Sequence, residues 1–353
     1  MLIRFVNAAI LALVTILTLT GVYGMVWTLG EWAYEVHRMA GWALIALIPW
    51  KAGIAWRSLK RGLGPRFDRG PLVVISVLLA VAALLVIAWG LVWAWNVGPW
   101  VFAFRQSAIS LHWIVALSLV PFLALHVWRR WPRPKRVDFT SRRAALKMLA
   151  LGGAGVVGWW LAEALAEARA DTDTPRRVTG SRERASFSGN GFPITNNAGE
   201  GKIRLDAASW QLAVAGAVDD PFTLTYDELL ALPASEVTAT IDCTTGWYST
   251  QVWRGVRLVD LLARAGVQPP VGSLRIRTVS GYLADFPLAE ANEILLATHV
   301  GGETLTHWHG YPVRAVVPSR RGWFWVKWVT GIEALPGPRP ARVTSDGKLD
   351  APV

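Results

Sequence analysis

The chain has 353 residues, of which 53% are hydrophobic, with a mean hydropathy of +0.33, a formal charge of +11 and a single cysteine, Cys243. That length accommodates two or three domains, one cysteine excludes an intrachain disulfide framework, and so apolar a composition argues against a wholly water-soluble protein. The charge does not point to nucleic acid, because its densest clusters, Lys60 to Arg69 and Arg129 to Lys147, flank apolar segments and no nucleic-acid reading motif accompanies them.

Four segments in the first half are long enough to cross a bilayer, which takes about 20 mainly apolar residues. They run over Ile3–Thr28, Trp32–Trp56, Leu72–Trp95 and Ile109–Trp131. A fifth, Ala144–Ala166, is richer in Gly and Ala. The loop after the second segment carries Arg57, Lys60, Arg61, Arg66 and Arg69, and the stretch after the fourth carries Arg129, Arg130, Arg133, Lys135, Arg136, Arg142 and Arg143. The remaining loops are nearly free of Lys and Arg. The positive-inside rule then puts the N-terminus and both basic loops inside and the C-terminal half outside. Tryptophans at the segment ends (Trp27, Trp32, Trp56, Trp93, Trp95, Trp100, Trp128, Trp131) match an interfacial belt. The expected location is a bacterial inner membrane, multi-pass, with the C-terminal domain on the periplasmic side.

The bundle holds three histidines. In this topology His37 and His112 each lie about one turn into helices that run from outside to inside, so they share one depth near the outer face. Two imidazoles facing each other across a bundle are the usual axial pair of a b-type haem, and ionisable groups inside a membrane are functional candidates by default. His126 follows His112 by 14 residues, about 21 Å along a helix and close to the same face. The bundle resembles four-helix di-haem cytochromes, in which histidines occupy all four such positions, but Lys51 stands at the fourth. Three arrangements follow for the inner site: no haem, with Lys51 reaching to the inner surface; a second haem ligated by His126 and neutral Lys51; or another group as second ligand. One haem b is the expectation, with the second left open.

Between the halves, Ser141-Arg142-Arg143-Ala144-Ala145-Leu146-Lys147 precedes the Gly/Ala-rich stretch and resembles a twin-arginine export signal, although Ala145 replaces a bulky apolar residue. An ordinary basic loop before a helix is the alternative. Ala168-Arg169-Ala170 reads as a cleavage site, but cleavage would sever the domain from the bundle, so an uncleaved fifth anchoring helix is expected. The domains expected are a transmembrane haem b bundle over 1–136, a twin-arginine-like segment with the fifth helix over 137–170, and a periplasmic domain over 171–353.

Residues 171–202 read as linker and loops. Alternating, β-rich runs follow at Trp210–Val218, Val237–Ile241, Leu274–Val279, Val313–Val317 and Trp325–Ile332, interrupted by helical patterns at Tyr226–Leu232, Leu258–Ala265 and Leu288–Ala291. This predicts an α+β domain with mixed sheets. Cys243 follows one β-rich run and precedes a Gly-containing loop that would present its sulfur at a cleft.

The run Ile241-Asp-Cys243-Thr-Thr-Gly246-Trp247, then Trp253-Arg254-Gly255-Val-Arg257-Leu258, resembles the cofactor-ligating stretch of sulfite-oxidase-type molybdoproteins. So do His309-Gly310-Tyr311-Pro312-Val313-Arg314, Val326-Lys327-Trp328, Leu212-Ala-Val-Ala-Gly216 and Pro221-Phe-Thr-Leu-Thr-Tyr226-Asp-Glu-Leu229, an ordered series over 185–335. The resemblance implies an enzyme, a molybdopterin-dependent oxidoreductase transferring oxygen atoms. It makes Cys243 the catalytic residue and molybdenum ligand, in accord with the metal's preference for a further soft ligand. By similarity to the bacterial members, Asn190, Pro193, Ile194, Thr278, His309, Arg314, Trp325, Val326 and Lys327 would bind the pterin. A zinc site joining Cys243 to His299, His307 and His309 is a competing reading whose spacing fits no strong zinc pattern.

The family contains sulfite oxidases and periplasmic reductases of methionine sulfoxide and related S-oxides. The chain ends soon after the family's core, without room for the oxidases' dimerisation domain, and joins that core to a membrane cytochrome, so the reductase side is expected. In that scheme electrons pass from membrane quinol through haem b to the molybdenum centre, which reduces a small-molecule or protein-bound S-oxide. An oxidase running electrons the other way, and a cytochrome carrying a non-catalytic binding domain, are the alternatives. The twin-arginine export machinery is an expected partner.

Overall fold

Each long apolar run forms one continuous helix in the computed structural model, which describes residues 2–26, 31–62, 70–102, 106–130, 137–168, 176–196, 200, 203, 205–206 and 208–345. Helix α1 spans Leu2–Val26, α2 Glu31–Gly62, α3 Gly70–Ala94 and α4 Ala108–Arg130; one turn, α5 (Val137–Thr140), precedes α6 (Arg142–Ala168). Five of these, α1–α4 and α6, are long and apolar enough to cross a membrane. Helix α2 outruns its expected end at Trp56 because Arg57–Arg61 contains good helix formers. Pro49 and Pro121 lie inside α2 and α4, where neighbouring helices and side chains can satisfy the freed backbone groups. The Ala168-Arg169-Ala170 cleavage reading and the basic residues Arg66, Arg69, Arg133, Lys135 and Arg136 fall on or across positions outside the described residues.

Helix α6 packs closely on α2. A methyl group added at Gly155 would lie 2.7 Å from the Met39 carbonyl oxygen, and one at Gly158 would lie 3.0 Å from the Trp42 side chain. Small residues permit this backbone approach, the usual device for joining apolar helices. An Arg38–Glu163 ion pair of 2.6 Å joins the same two helices.

The chain forms two units whose sequence boundary lies between Gly180 and Ser181. The second is an α+β fold of two mixed sheets, as the sequence predicts. Its strands are β1 (Arg182–Glu183), β2 (Gln211–Gly216), β3 (Phe222–Thr225), β4 (Ser235–Asp242), β5 (Trp247–Arg257), β6 (Val271–Thr278), β7 (Tyr282–Pro287), β8 (Leu295–Val300), β9 (Glu303–Thr304), β10 (Arg314–Val316), β11 (Val329–Pro336) and β12 (Arg342–Ser345). One sheet runs β1-β5-β8-β10, with β4 added to β5 and β9 to β8; the other runs β12-β7-β6-β11-β2-β3. The β1–β5 and β2–β11 pairs are parallel and the rest antiparallel.

Local chemistry explains the pieces. Helix α7 (Tyr226–Leu230) starts at a capping box in which Thr225 and Glu228 satisfy each other's backbone N–H groups. Helix α8 (Leu258–Ala265) buries Leu258, Leu261, Leu262 and Ala265, one face at helical spacing, and stops at left-handed Gly266. Strand β5 alternates so that Trp247, Ser249, Gln251 and Trp253 point inward. Trp253, Trp325, Trp328, Phe286 and Phe324 are the largest fully buried side chains, each stabilising the fold by roughly 1.5–3 kcal/mol through lost water contact.

Three sequence expectations change. The strand expected at Trp325–Ile332 begins only at Val329, because Gly322–Phe324 form a 3-10 turn and Trp328 adopts a left-handed backbone (φ 55°). The strand expected at Trp210–Val218 ends at Gly216, whose φ is 98°. The pattern at Leu288–Ala291 is a 3-10 helix, Leu288–Glu293.

Candidate functional site

In the first unit, two histidines meet. The rings of His37 (α2) and His112 (α4) lie 6.2 Å apart between centroids, with planes 70° from parallel. Imidazoles bound to one metal from opposite sides, each at roughly 2 Å, put their ring centres about 6 Å apart. His37 Nδ1 donates to Thr20 Oγ1 at 2.9 Å, and that hydroxyl donates on to the Ile16 carbonyl at 2.7 Å. His112 Nδ1 donates to the Val86 carbonyl at 2.8 Å. Both rings are thereby held in the tautomer that leaves Nε2 without a proton, the arrangement that metal-bound histidines use. Room comes from two glycines: a methyl at Gly21 would lie 3.5 Å from His37, and one at Gly90 would lie 3.0 Å from His112. His37 and His112 would suit holding a haem iron. Lys51 instead donates to Asn7 Oδ1 of α1 at 2.9 Å, and His126 is half-buried in α4.

In the second unit, β4 and β5 are joined by the turn Cys243–Gly246. The Cys243 N–H donates to Trp247 O at 2.8 Å, and Gly246 N–H donates back to Cys243 O at 3.0 Å. Gly246 takes φ 99°, a conformation open to glycine and strained for other residues. The turn holds Cys243 at the floor of a cleft with about 540 Å³ of empty volume, counting the part open to solvent. Asp242 secures it from behind, pairing with Arg321 (3.2 Å) and accepting from Ser181 Oγ (2.7 Å), while Arg321 Nη2 donates to Cys243 O at 3.3 Å.

Buried cations line the other wall. Lys327 pairs with Glu200 at 3.0 Å and donates to Thr195 O (3.1 Å) and Asn196 Oδ1 (2.6 Å). Burial pulls its ammonium down to about pKa 8, against the raising pull of Glu200. Arg314 donates to His309 O at 3.0 Å, and its buried Nε has no hydrogen-bond partner among the described residues. Its pKa is also lowered by burial, to about 10. Gly310 leaves room for these cations: at φ 112°, a methyl group added there would lie 3.0 Å from Arg314 Cβ and 3.3 Å from Lys327 Cβ. His309 Nε2 donates to Phe192 O (2.9 Å) and its Nδ1 accepts from Thr306 Oγ1 (2.7 Å); burial lowers its pKa to about 4, so it is neutral at pH 7.

Of the residues expected from sequence, Cys243, Pro193, Ile194, His309, Arg314, Trp325, Val326 and Lys327 all line this cleft. Asn190 and Thr278 do not. Asn190 braces a neighbouring loop, bonding Glu303, Thr304 O and Thr306 N–H, and Thr278 donates to Tyr282 O at 2.8 Å. Phe192, Thr195, Glu200, Trp247, Trp308 and Trp323 are also in the lining and carry no sequence signal apart from lying inside or beside the motifs. No cluster of three His, Cys, Asp or Glu side chains able to hold a metal occurs among the described residues; His299 bonds Thr298 and His307 bonds Ile203 O.

The cleft fits a molybdenum-bearing pterin on two observations: one buried thiol at its floor, and two buried cations, one with an unanswered N–H, where an anionic phosphate would sit. The comparisons agree. The family model described as "Oxidoreductase molybdopterin binding domain" matches residues 199–343. The chain is 36% identical over 145 residues to the uncharacterized oxidoreductase YuiH of Bacillus subtilis (strain 168), covering 40% of this chain and 73% of that one. It is 34% identical to nitrate reductase [NADH] 1 of Oryza sativa subsp. japonica and 32% identical to mitochondrial sulfite oxidase of Homo sapiens. Those matches cover 36% and 42% of this chain but only 18% and 32% of the two enzymes.

Proposed function

The chain belongs to the family of oxidoreductases that carry a molybdopterin-binding domain, and from that premise we propose a membrane-bound enzyme that draws electrons from quinol through haem b and reduces an S-oxide of the methionine-sulfoxide kind. The observation that carries this reading is the coexistence in one chain of the His37–His112 pair and the Cys243 cleft. A bundle with a haem-compatible pair gives a quinol-to-domain route for electrons. The loop charges support a periplasmic domain, held by an uncleaved α6 and delivered by twin-arginine export.

When bound, the molybdenum–pterin group supplies oxygen-atom transfer. The chain's own residues do the rest. Cys243 holds the metal through its thiolate, in a turn that Asp242 and Arg321 keep rigid. Arg314 and Lys327 meet the anionic end of the pterin. Neutral His309 positions the Phe192 and Thr306 segments without adding a third positive charge. Trp247, Trp325 and Trp308 line the cleft with apolar rings. Pro193, Ile194 and Val326 line its apolar side, while Asn190 and Thr278 act on loops rather than on the pterin.

The inner half of the bundle supports one haem over two, because Lys51 has a partner in Asn7; a second haem on Lys51 and His126 requires that hydrogen bond to break. A sulfite-type oxidase with reversed electron flow is the second reading, favoured by the likeness to human sulfite oxidase.

The test is to purify the intact protein from membranes and count molybdenum and haem b per chain beside Cys243→Ala. About one molybdenum, lost in the variant, with one haem, and turnover of methionine sulfoxide with a quinol analogue, is the expected result. Turnover of sulfite alone would establish the oxidase, and haem without molybdenum would leave a cytochrome with a binding domain.

A further inference from the structure

The Cys243 sulfur sits within a small array of hydroxyl groups. Thr245 Oγ1 lies 3.1 Å from Sγ and Thr195 Oγ1 lies 3.5 Å from it, the two oxygens being 3.4 Å apart. A thiol can share its own proton with such neighbours, but a metal-bound thiolate has none, so each hydroxyl must then act as the donor. The indole Nε1–H of Trp247 donates to Thr195 Oγ1 at 3.2 Å. That bond occupies an acceptor site on the oxygen and leaves the hydroxyl proton free to turn toward the sulfur. Thr195 is held in place by two further contacts, Lys327 Nζ to its own carbonyl and Lys327 Nζ to Asn196 Oδ1. Thr245 is held by the Cys243–Gly246 turn itself.

We propose that Thr195 and Thr245 are positioning residues that donate hydroxyl hydrogen bonds to the Cys243 thiolate and thereby raise the reduction potential of the metal it holds. The inference rests on the reading of Cys243 as the molybdenum ligand. The physics is that a hydrogen bond withdraws electron density from the thiolate and stabilises the more electron-rich, reduced state of the metal. Lys327 gains a second part: by fixing the Thr195 segment it ties the cationic wall of the cleft to the sulfur opposite.

The experiment compares the holoenzyme with Thr195→Val, Thr245→Val, Thr195→Ser and Thr245→Ser, measuring molybdenum content and the molybdenum midpoint potentials by EPR-monitored redox titration. Valine keeps the shape and removes the donor; serine keeps the donor. The expected result is a fall in potential in each valine variant, larger for Thr245 with its shorter contact, and recovery in the serine variants. Loss of molybdenum from both valine variants that serine restores would overturn the tuning role, since the hydroxyls are then needed to hold the metal rather than to set its potential. Unchanged potentials in the valine variants, or serine variants that behave like valine, would overturn the proposal by reducing both threonines to packing. Cys243→Ala distinguishes the two levels: if its molybdenum EPR spectrum matches that of the parent, the ligand assignment fails, whatever the threonine variants do.

Discussion

A lysine left 5% exposed keeps its charge only when a carboxylate answers it, and Glu200 supplies that answer to Lys327. Glu200→Gln leaves the ammonium uncompensated, and breaking such a pair from one side costs about 3–5 kcal/mol; thermal unfolding of the cofactor-free chain should register it as a lower Tm. The same lysine gives a pH signature. Its folded pKa of about 8 lies below the unfolded value of 10.5, so between those limits the unfolded state binds the extra proton and stability rises with pH, by about 1.4 kcal/mol per unit. Lys327→Met should flatten that slope. His309 acts on the acid side: with a folded pKa of about 4 against 6.5, stability is lost as pH falls through that window, and His309→Gln should remove the dependence.

Among the elements, the turn and the helix contacts are the most exposed to small changes. Gly246→Ala forces a side chain onto φ 99°, at about 1–3 kcal/mol, and should lower the molybdenum content by shifting Cys243. Gly90→Leu drives a side chain into the His112 ring, which a methyl already approaches to 3.0 Å; the expected outcome is loss of the haem Soret band with the helices intact by circular dichroism. The helices were legible because membrane-spanning runs are long and composition alone marks them. Helix α8 was legible from its amphipathic spacing. Strands β1, β3, β5, β7, β8, β9 and β12 are not among the runs that the sequence marks as strands; β8 (Leu295–Val300) is inward-facing along most of its length, so it shows no alternation to read. In the cleft, the motif residues came from their own sequence context, whereas Glu200 and Thr195 are set beside Lys327 and Cys243 only by the path of a loop that no local pattern specifies. Asn190 and Thr278 show the reverse: both are near the cleft in sequence logic, yet their side chains are spent on loop hydrogen bonds.

At the scale of the whole molecule, the molybdopterin cleft and the proposed haem site draw on separate stretches of chain. The histidine pair uses α2 and α4, and the thiol cleft uses residues between Phe192 and Lys327. His112→Ala should therefore abolish haem and quinol-driven turnover while leaving molybdenum content and turnover with a reduced dye within about twofold of the parent; parallel assays with the two donors would check this. A variant that lost both cofactors together would show that the halves depend on each other for folding.

The cationic wall also bears on the life of the protein before it first turns over. Arg314 and Lys327 are buried side by side, with Glu200 as the carboxylate paired to the lysine, so an anion arriving there relieves a strain that the bare polypeptide must carry. Any ligand that binds only the native state adds stability in proportion to the logarithm of its concentration over its dissociation constant. Newly made chains in a cell short of pterin would therefore unfold more often and meet its proteases sooner, making cellular abundance of this protein a gauge of cofactor supply.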